Sequence, residues 1–142
     1  MKRIELSHGA GGEEMGRLIR KHILSRFDKG NAEVALDALD DSAVVNDVVF
    51  TTDSHTVQPI FFPGGDIGRL AVAGTVNDIA SLGAKPVAMA LAMVIEEGME
   101  MDYFEKILES VAETAKEAGV EIVTGDTKVV EKGSMKDMVV TT

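Results

Sequence analysis

Residues 66–82 have the sequence DIGRLAVAGTVNDIASL, which is apolar on most sides when it is drawn as a helix. An apolar surface all round is typical of a helix buried within a larger assembly. At 100° per residue, the small and polar residues share one face, and valine and isoleucine occupy the opposite one. That face consists of Gly74, Asn77, Asp78 and Ser81.

Asp78 is the strongest anomaly in this segment. A carboxylate that is buried without a partner costs several kcal/mol, so Asp78 must face a partner, a cation or water. A solvated helix face or a local cap is the simpler explanation. The functional alternative is a metal or nucleotide ligand on a face kept small by Gly74 and Ser81.

The hydrophobic pattern predicts two more helices and four strands. A stripe of apolar residues predicts a helix over residues 12–27. A second stripe predicts a helix over 102–118, with Asp102 and Glu105 as a capping box and Gly119 as its stop. Runs rich in Val, Ile, Thr and Met predict strands over 44–53, 87–95, 120–130 and 138–142. We therefore expect an α+β fold, with a mixed or antiparallel sheet flanked by helices.

The length of 142 residues favours one domain over residues 1–142, since soluble domains run roughly 100–200 residues. The last apolar run, Met138–Thr142, stops without a turn or a polar tail. We interpret this stop as a cut at a domain boundary within a longer protein.

Composition excludes several classes of function. With 14 Lys and Arg against 24 Asp and Glu, the net charge of −10 opposes binding to a nucleic-acid backbone or to an anionic membrane. The absence of cysteine excludes disulfides, thiolate metal sites and cysteine nucleophiles. No apolar stretch approaches the roughly 18 residues that span a bilayer, so we expect a cytoplasmic protein. The acidic balance still permits a nucleotide, because carboxylates can hold a phosphate through magnesium.

We place three further acidic sites where strands begin or end, the last of them interrupting an apolar run: Asp40–Asp41, Asp53 and Gly125–Asp126. Aspartates at strand ends are commonly turn residues, and that explanation stays open for each one. Together with Asp78 they make four aspartate sites on separate elements. Magnesium takes a few carboxylate oxygens together with phosphate and water, so the four sites favour a magnesium site.

Glycine and histidine give weaker signals. The glycine-rich stretches 8–12 and 61–66 precede predicted helices, where backbone N–H groups can approach a phosphate. Neither stretch matches a P-loop or a dinucleotide fingerprint. His8, His22 and His55 are too dispersed for a zinc site, and only His55, beside Asp53, is a candidate for function.

Six motifs in this chain occur in the same order in one known family. They are His8–Gly12, Leu36–Ala43, Thr52–His55, Phe61–Asp66, Gly74–Asp78 and Val123–Val130. Over essentially its whole length the chain resembles the N-terminal half of the hydrogenase maturation proteins HypE. That family lies within the aminoimidazole-ribonucleotide synthetase superfamily, with selenophosphate synthetase and thiamine-monophosphate kinase.

The resemblance implies an ATP- and magnesium-dependent enzyme. HypE proteins are homodimers whose N-terminal sheets join into a β-barrel. They activate the oxygen of a cysteine-bound carboxamide with ATP, and its loss as phosphate leaves a thiocyanate that supplies cyanide to the iron of a nickel–iron hydrogenase. HypF donates the carbamoyl group, and the HypC–HypD complex receives the cyanide.

The resemblance also implies roles for residues in the matching motifs. The magnesium ligands implied are Asp41, Asp53, Asp78 and Asp126. The implied contacts to ATP and its phosphates are Asp53, His55, Asn77, Gly125, Thr127 and Lys128, and the implied catalytic residues are Lys128 and Asp126. This sequence lacks the C-terminal acceptor cysteine of the family, so we expect it to hold half of the site and to be inactive alone.

Two other kinds of function compete with this interpretation. Another enzyme of the superfamily, such as a ribonucleotide cyclo-ligase, selenophosphate synthetase or small-molecule kinase, would carry different residues around 61–66. A non-catalytic dimerisation or scaffolding domain would use its acidic face for solvation alone. Magnesium-dependent binding of ATP separates the enzymes from the scaffold.

Overall fold

The computed structural model describes residues 3–27 and 32–142. The chain divides into two compact units, Met1–Val48 and Val49–Thr142, a division that the sequence did not indicate. No helix among the described residues is long and apolar enough to cross a membrane.

The first unit is built from short helical turns. Helix α1 spans Gly12–Leu18, a π-helical turn follows over Ile19–Ile23, and a 3₁₀ turn ends the segment at Leu24–Arg26. Two more 3₁₀ turns span Leu6–Gly9 and Leu36–Ala38. The helix predicted over 12–27 is therefore present, but its hydrogen-bond pattern changes twice along its length.

The strand predicted over 44–53 is wrong as a continuous element. Strand β1 (Ala43–Val45) and strand β2 (Val48–Phe50) pair as a two-stranded sheet. Asn46 and Asp47 join them with positive φ angles of 51° and 62°. Two consecutive left-handed residues make the tight turn that suits a hairpin, and Asn and Asp tolerate this backbone better than most residues.

The second unit contains a four-stranded mixed sheet in the order β3-β8-β6-β7. Its strands are β3 (Ser54–His55), β6 (Ala88–Glu96), β7 (Glu121–Val130) and β8 (Met138–Thr141). β6 and β7 are parallel, and the other neighbouring strands are antiparallel. The α+β class and the mixed sheet are thus confirmed. A hairpin of β4 (Phe61–Phe62) and β5 (Gly65–Asp66) was not predicted.

Two helices accompany the sheet, α2 (Ile67–Ser81) and α3 (Met101–Ala118). The Asp66 side chain caps α2 by accepting hydrogen bonds from the backbone N–H groups of Gly68 and Arg69. The predicted capping box of α3 is wrong, because Glu100 precedes the helix and no side chain caps it. Its predicted stop is confirmed, since Gly119 has a φ of 68°.

Both helices pack on the same face of the sheet. Ile67 of α2 and Ile107 of α3 are fully buried against Met93, Met138 and Val140 of the strands. Arg69 of α2 also pairs with Glu117 of α3 at 3.0 Å, and this hydrogen bond raises the pKa of the Arg69 guanidinium. The opposite face of the sheet receives neither helix.

Candidate functional site

Asp53 and His55 form the best-defined polar pair of the second unit. His55 Nε2 lies 3.1 Å from Asp53 Oδ2, and the Asp53 side chain is 44% exposed while the His55 residue is only 8% exposed. The backbone holds this pair in place, because Asp53 and Thr142 exchange N–H···O bonds of 2.9 and 3.0 Å. The carboxylate is therefore accessible and the imidazole behind it is buried.

Gly74 leaves the space that the imidazole occupies. A Cβ atom added at Gly74 would lie 2.5 Å from His55 Nε2 and 3.3 Å from its Cε1. Real Cβ atoms do not approach ring atoms so closely, so the ring fits only over a glycine. Gly74 was predicted to keep a helix face small, and the structure identifies the group that needs this space.

Asp78 lies one helical turn beyond Gly74, on the same face of α2. It is half-buried, and Thr51 Oγ1 donates a hydrogen bond to its Oδ2 at 3.3 Å. Gly74 and Asp78 therefore both face the segment 51–55, which supplies Thr51, Asp53 and His55. Thr51 was missed as a site residue, because a partner 27 positions away leaves no local pattern in the sequence.

The remaining members of the predicted α2 face have smaller roles. Asn77 is exposed, and the Ser81 hydroxyl donates to the Asp78 backbone carbonyl at 2.8 Å. Thr75, which lies outside the predicted face, is buried, and its hydroxyl hydrogen-bonds to the hydroxyl of Thr142. Asn77 therefore presents an exposed side chain next to Asp78.

A cavity of about 320 Å³ adjoins this site. Its polar lining includes Thr51, Thr75, Lys85 and Thr142, and most of the rest is apolar. A largely apolar wall with a few convergent polar groups is typical of small-molecule sites, whose volumes begin near 300 Å³. The second unit therefore offers a concave space next to the Thr51–Asp78 hydrogen bond.

Asp126 lies in the middle of β7, so the prediction that it lies at a strand end is wrong, whereas the strand predicted over 120–130 is confirmed. β7 runs unbroken because Gly125 packs directly on the β6 backbone, where a Cβ atom would lie 2.1 Å from the carbonyl oxygen of Leu91. The side chains of Asp126, Thr127 and Lys128 are exposed. Asp126 and Lys128 share one face of the strand, and Thr127 points to the other.

The strand register places Asp126 far from Asp53. Asp126 pairs with Ala92, Ala92 with Thr141, and Thr141 with Ser54, so these four residues form one row on the face that the helices leave open. Asp53 alternates with Ser54 and lies on the helix-covered face with His55. β3 and β7 are opposite edges of the sheet, separated by three strand spacings or roughly 14 Å. One metal ion does not bridge Asp53 and Asp126 within one copy of the chain.

The donor chemistry fits magnesium at the α2 site. Among residues 3–27 and 32–142, no three His, Cys, Asp or Glu side chains come together in a cluster that could hold a metal ion. Magnesium commonly uses only one or two protein carboxylates and completes its shell with phosphate oxygens and water. Asp53 and Asp78, which border the same face of α2, meet that requirement. Asp41 lies in the first unit, where its backbone N–H donates to Asp40 Oδ1 at 2.9 Å.

Comparison with known proteins identifies the family. Residues 39–142 match the model of the AIR synthase related protein, N-terminal domain. The carbamoyl dehydratase HypE of Cupriavidus necator is 46% identical over 145 residues, which cover 99% of this chain and 40% of that protein. The chain thus spans about two fifths of the length of this curated relative.

Solved structures give the same result. A chain of a HypE–HypF complex matches 87% of this chain over 40% of its own length, with a TM-score of 0.80 and 50% identity. A HypE structure in complex with ATP matches 96% of this chain and 40% of its own, with a TM-score of 0.65 and 46% identity. The resemblance to HypE found in the sequence is confirmed. This chain belongs to the AIR synthase related protein family and matches the N-terminal domain of that family.

Proposed function

We propose that this chain is the nucleotide-binding N-terminal part of a HypE-like carbamoyl dehydratase. In that reaction ATP phosphorylates the oxygen of a cysteine-bound carboxamide, and loss of phosphate leaves a thiocyanate whose cyanide is destined for a hydrogenase iron. The observation that carries the proposal is that one face of α2 meets the segment 51–55 at two points: Gly74 lies against His55, the partner of Asp53, and Asp78 accepts a hydrogen bond from Thr51, which also lines a cavity. The sequence identity with HypE proteins supports the same assignment, and the structure of one of them contains ATP.

Asp53 and Asp78 are the proposed magnesium ligands of the α2 site. Magnesium, when bound, neutralises charge that builds up on the transferred phosphoryl group. Asp53 offers an exposed carboxylate held by His55, and Asp78 offers a carboxylate oriented by Thr51. Asn77 is proposed to contact phosphate, since its amide is exposed next to Asp78. Asp41 stays in the proposed ligand set on the resemblance alone.

The second proposed subsite lies on β7. Gly125 keeps the strand close to β6, and Asp126, Thr127 and Lys128 present a carboxylate, a hydroxyl and an ammonium group to solvent. We propose Asp126 as a magnesium ligand, Thr127 and Lys128 as phosphate contacts, and Lys128 with Asp126 as the catalytic pair. A lysine ammonium is a compact charge that suits a phosphate oxygen.

A homodimer is the arrangement that we propose to unite the two subsites. β7 is exposed along nearly its whole length, including Val123 (60%) and Val129 (64%), and one of its edges lacks a strand partner within the described residues. Parallel strands occur mainly in sheets that are covered on both faces, and neither helix covers the Asp126 face of the parallel β6–β7 pair. A second copy would cover that face, as in the β-barrel of the family, and would bring a β7 subsite near an α2 subsite.

Partners and location follow from the same assignment. We propose HypF as the carbamoyl donor and a HypC–HypD complex as the cyanide acceptor, and one of the matching structures is a HypE–HypF complex. A cytoplasmic location is part of the proposal, because these partners assemble a hydrogenase centre before that enzyme is complete.

Calorimetric titration of ATP into the two-domain protein, in which this chain is joined to the C-terminal domain found in HypE proteins, with and without Mg²⁺, tests the proposal. We expect binding only with Mg²⁺, and we expect Asp78→Asn and Asp126→Asn each to weaken it at least about tenfold, or roughly 1.4 kcal/mol. Asp47→Asn, in the β1–β2 turn, is the matched control and should bind like the wild type. Equal affinity in wild type and both site variants would exclude these ligands, and affinity independent of Mg²⁺ would exclude the metal site.

A further inference from the structure

We propose that His55 is a positioning residue that fixes the Asp53 carboxylate for its metal, and that Gly74 is required to admit the imidazole. The inference rests on the proposed function, and it changes the role of His55 from a direct ATP contact to a support for Asp53. At 8% exposure, with Nε2 directed at Asp53 Oδ2, the ring has little surface left for a phosphate.

The geometry identifies the nitrogen of the His55 ring that donates a hydrogen bond to Asp53. Nε2 lies 3.1 Å from Asp53 Oδ2 and therefore carries the hydrogen that it donates to the carboxylate. The other nitrogen, Nδ1, is buried and has no hydrogen-bond partner among the described residues. The ring is thus oriented by one polar contact, and that contact is to Asp53.

The unpaired Nδ1 argues against a purely structural role. A buried polar atom without a partner lowers stability, whereas an apolar ring of similar size would fill the same space without that cost. The imidazole is therefore a poor choice for packing. What it supplies, and what an apolar ring does not, is the hydrogen bond from Nε2 to Asp53.

The surroundings leave the ring little freedom to turn. Gly74 lies against the Nε2 edge, with the position of a Cβ only 2.5 Å from Nε2 and 3.6 Å from Cδ2. On the strand side, Ser54 Oγ hydrogen-bonds to Thr141 Oγ1 at 2.9 Å, and His55 pairs with Val140 in the register. A carboxylate whose partner is locked by packing keeps one orientation, and loss of such a partner commonly lowers metal affinity 10–100-fold.

Four proteins test the inference: wild type, Asp53→Asn, His55→Phe and His55→Gln. The probe is Mn²⁺ together with ATP, and its apparent Kd comes from the paramagnetic broadening of backbone amide signals near residue 53. We expect His55→Phe to weaken binding about 10–100-fold. His55→Gln should restore most of the affinity, because its amide nitrogen can reach the place of Nε2.

The stability of His55→Phe against urea is the second readout. If His55 is purely structural, the substitution should lower stability, whereas if His55 only positions Asp53, the substitution should leave stability unchanged or raise it. We expect His55→Phe to unfold at the same or a higher urea concentration than wild type while it loses Mn²⁺ and ATP affinity. His22→Phe, at an exposed histidine of the first unit, is the control and should leave the affinity unchanged.

The outcomes separate this inference from the proposed function. If Asp53→Asn weakens binding and His55→Phe does not, the positioning role is excluded and the metal site stands. Loss of affinity in His55→Phe that only parallels a loss of stability, without rescue by Gln, also excludes the positioning role. If Asp53→Asn binds like wild type, or if wild type shows no broadening near residue 53, the proposed metal site itself is excluded.

Discussion

Gly125 of β7 lies directly against the carbonyl of Leu91 in β6, so closely that a Cβ atom on residue 125 would stand 2.1 Å from that oxygen. The contact lies next to Asp126 and holds the proposed β7 subsite against the centre of the sheet. Because the obstructing atom belongs to the backbone of a central strand, it cannot move aside without breaking the ladder.

We therefore expect Gly125→Ala to lower the free energy of unfolding by about 1–3 kcal/mol, the usual cost of overpacking. Urea denaturation followed by circular dichroism measures the change. Gly9→Ala is the control, since a Cβ there has no neighbour within 4 Å. A Gly125→Ala variant as stable as wild type would show that β7 and β6 are farther apart than described.

The long elements of this fold could be predicted from the sequence, because their hydrophobic pattern repeats over many residues. Helix α3 and strands β6, β7 and β8 all lie within a residue or two of their predicted bounds. The β4–β5 hairpin could not be predicted, since strands of two residues are too short to show alternation. The turn at Asn46–Asp47 was overlooked because both residues lie inside an otherwise continuous run of valines.

The candidate site was predictable in its chemistry and not in its arrangement. Asp78 stands out in the sequence as an acidic residue in an apolar segment, and Asp53 and Asp126 stand out as acidic residues at the end of, or within, predicted strands. Which of them come together depends on sheet order, and the sequence does not determine that β3 and β7 form opposite edges. Gly125 interrupts an apolar run in the sequence, and its lack of a side chain is what lets β7 continue beside Leu91.

A double-mutant cycle tests the fit of His55 over Gly74. In the wild-type background, Gly74→Ala should destabilise the protein by about 1–3 kcal/mol, because its Cβ displaces the imidazole. In the His55→Ala background the same change should stabilise the protein by about 0.5–1 kcal/mol, because alanine is more favourable than glycine in a helix interior.

Urea denaturation of the four proteins gives the coupling energy between residues 55 and 74. We expect it to be well above the deviation from additivity of about 0.3–0.5 kcal/mol that is seen for independent sites. Gly16→Ala in α1 is the control: its Cβ meets only the mobile end of Arg20, so His55→Ala should not alter its effect. An equal effect of Gly74→Ala in both backgrounds would show that the ring does not occupy this space.

The homodimer makes a prediction about the uncovered face of the sheet. We expect sedimentation at micromolar concentration to show a dimer, and we expect Ala92→Lys to shift it toward monomer. Ala92 lies in the row of Asp126 on the central strand β6, so a lysine there would be buried without a partner if a second sheet covers it. Glu109→Lys, on the exposed side of α3, changes charge more and should leave the dimer intact.

Sharing of the site between copies can be tested by mixing two inactive variants. Asp53→Asn and Asp126→Asn should each lose Mg²⁺-dependent ATP binding as homodimers. If a site takes Asp53 from one copy and Asp126 from the other, a mixed dimer has one site with both changes and one with neither, as two-fold symmetry requires.

After subunit exchange in an equimolar mixture, about a quarter of all sites should bind ATP, because half of the dimers are mixed and each has one intact site. Calorimetric stoichiometry measures this fraction, and unmixed wild type sets its upper limit. If exchange is demonstrated and no binding is recovered, each copy builds its site alone. Because β3 and β7 of one copy are roughly 14 Å apart, one ion could then not be held by both Asp53 and Asp126.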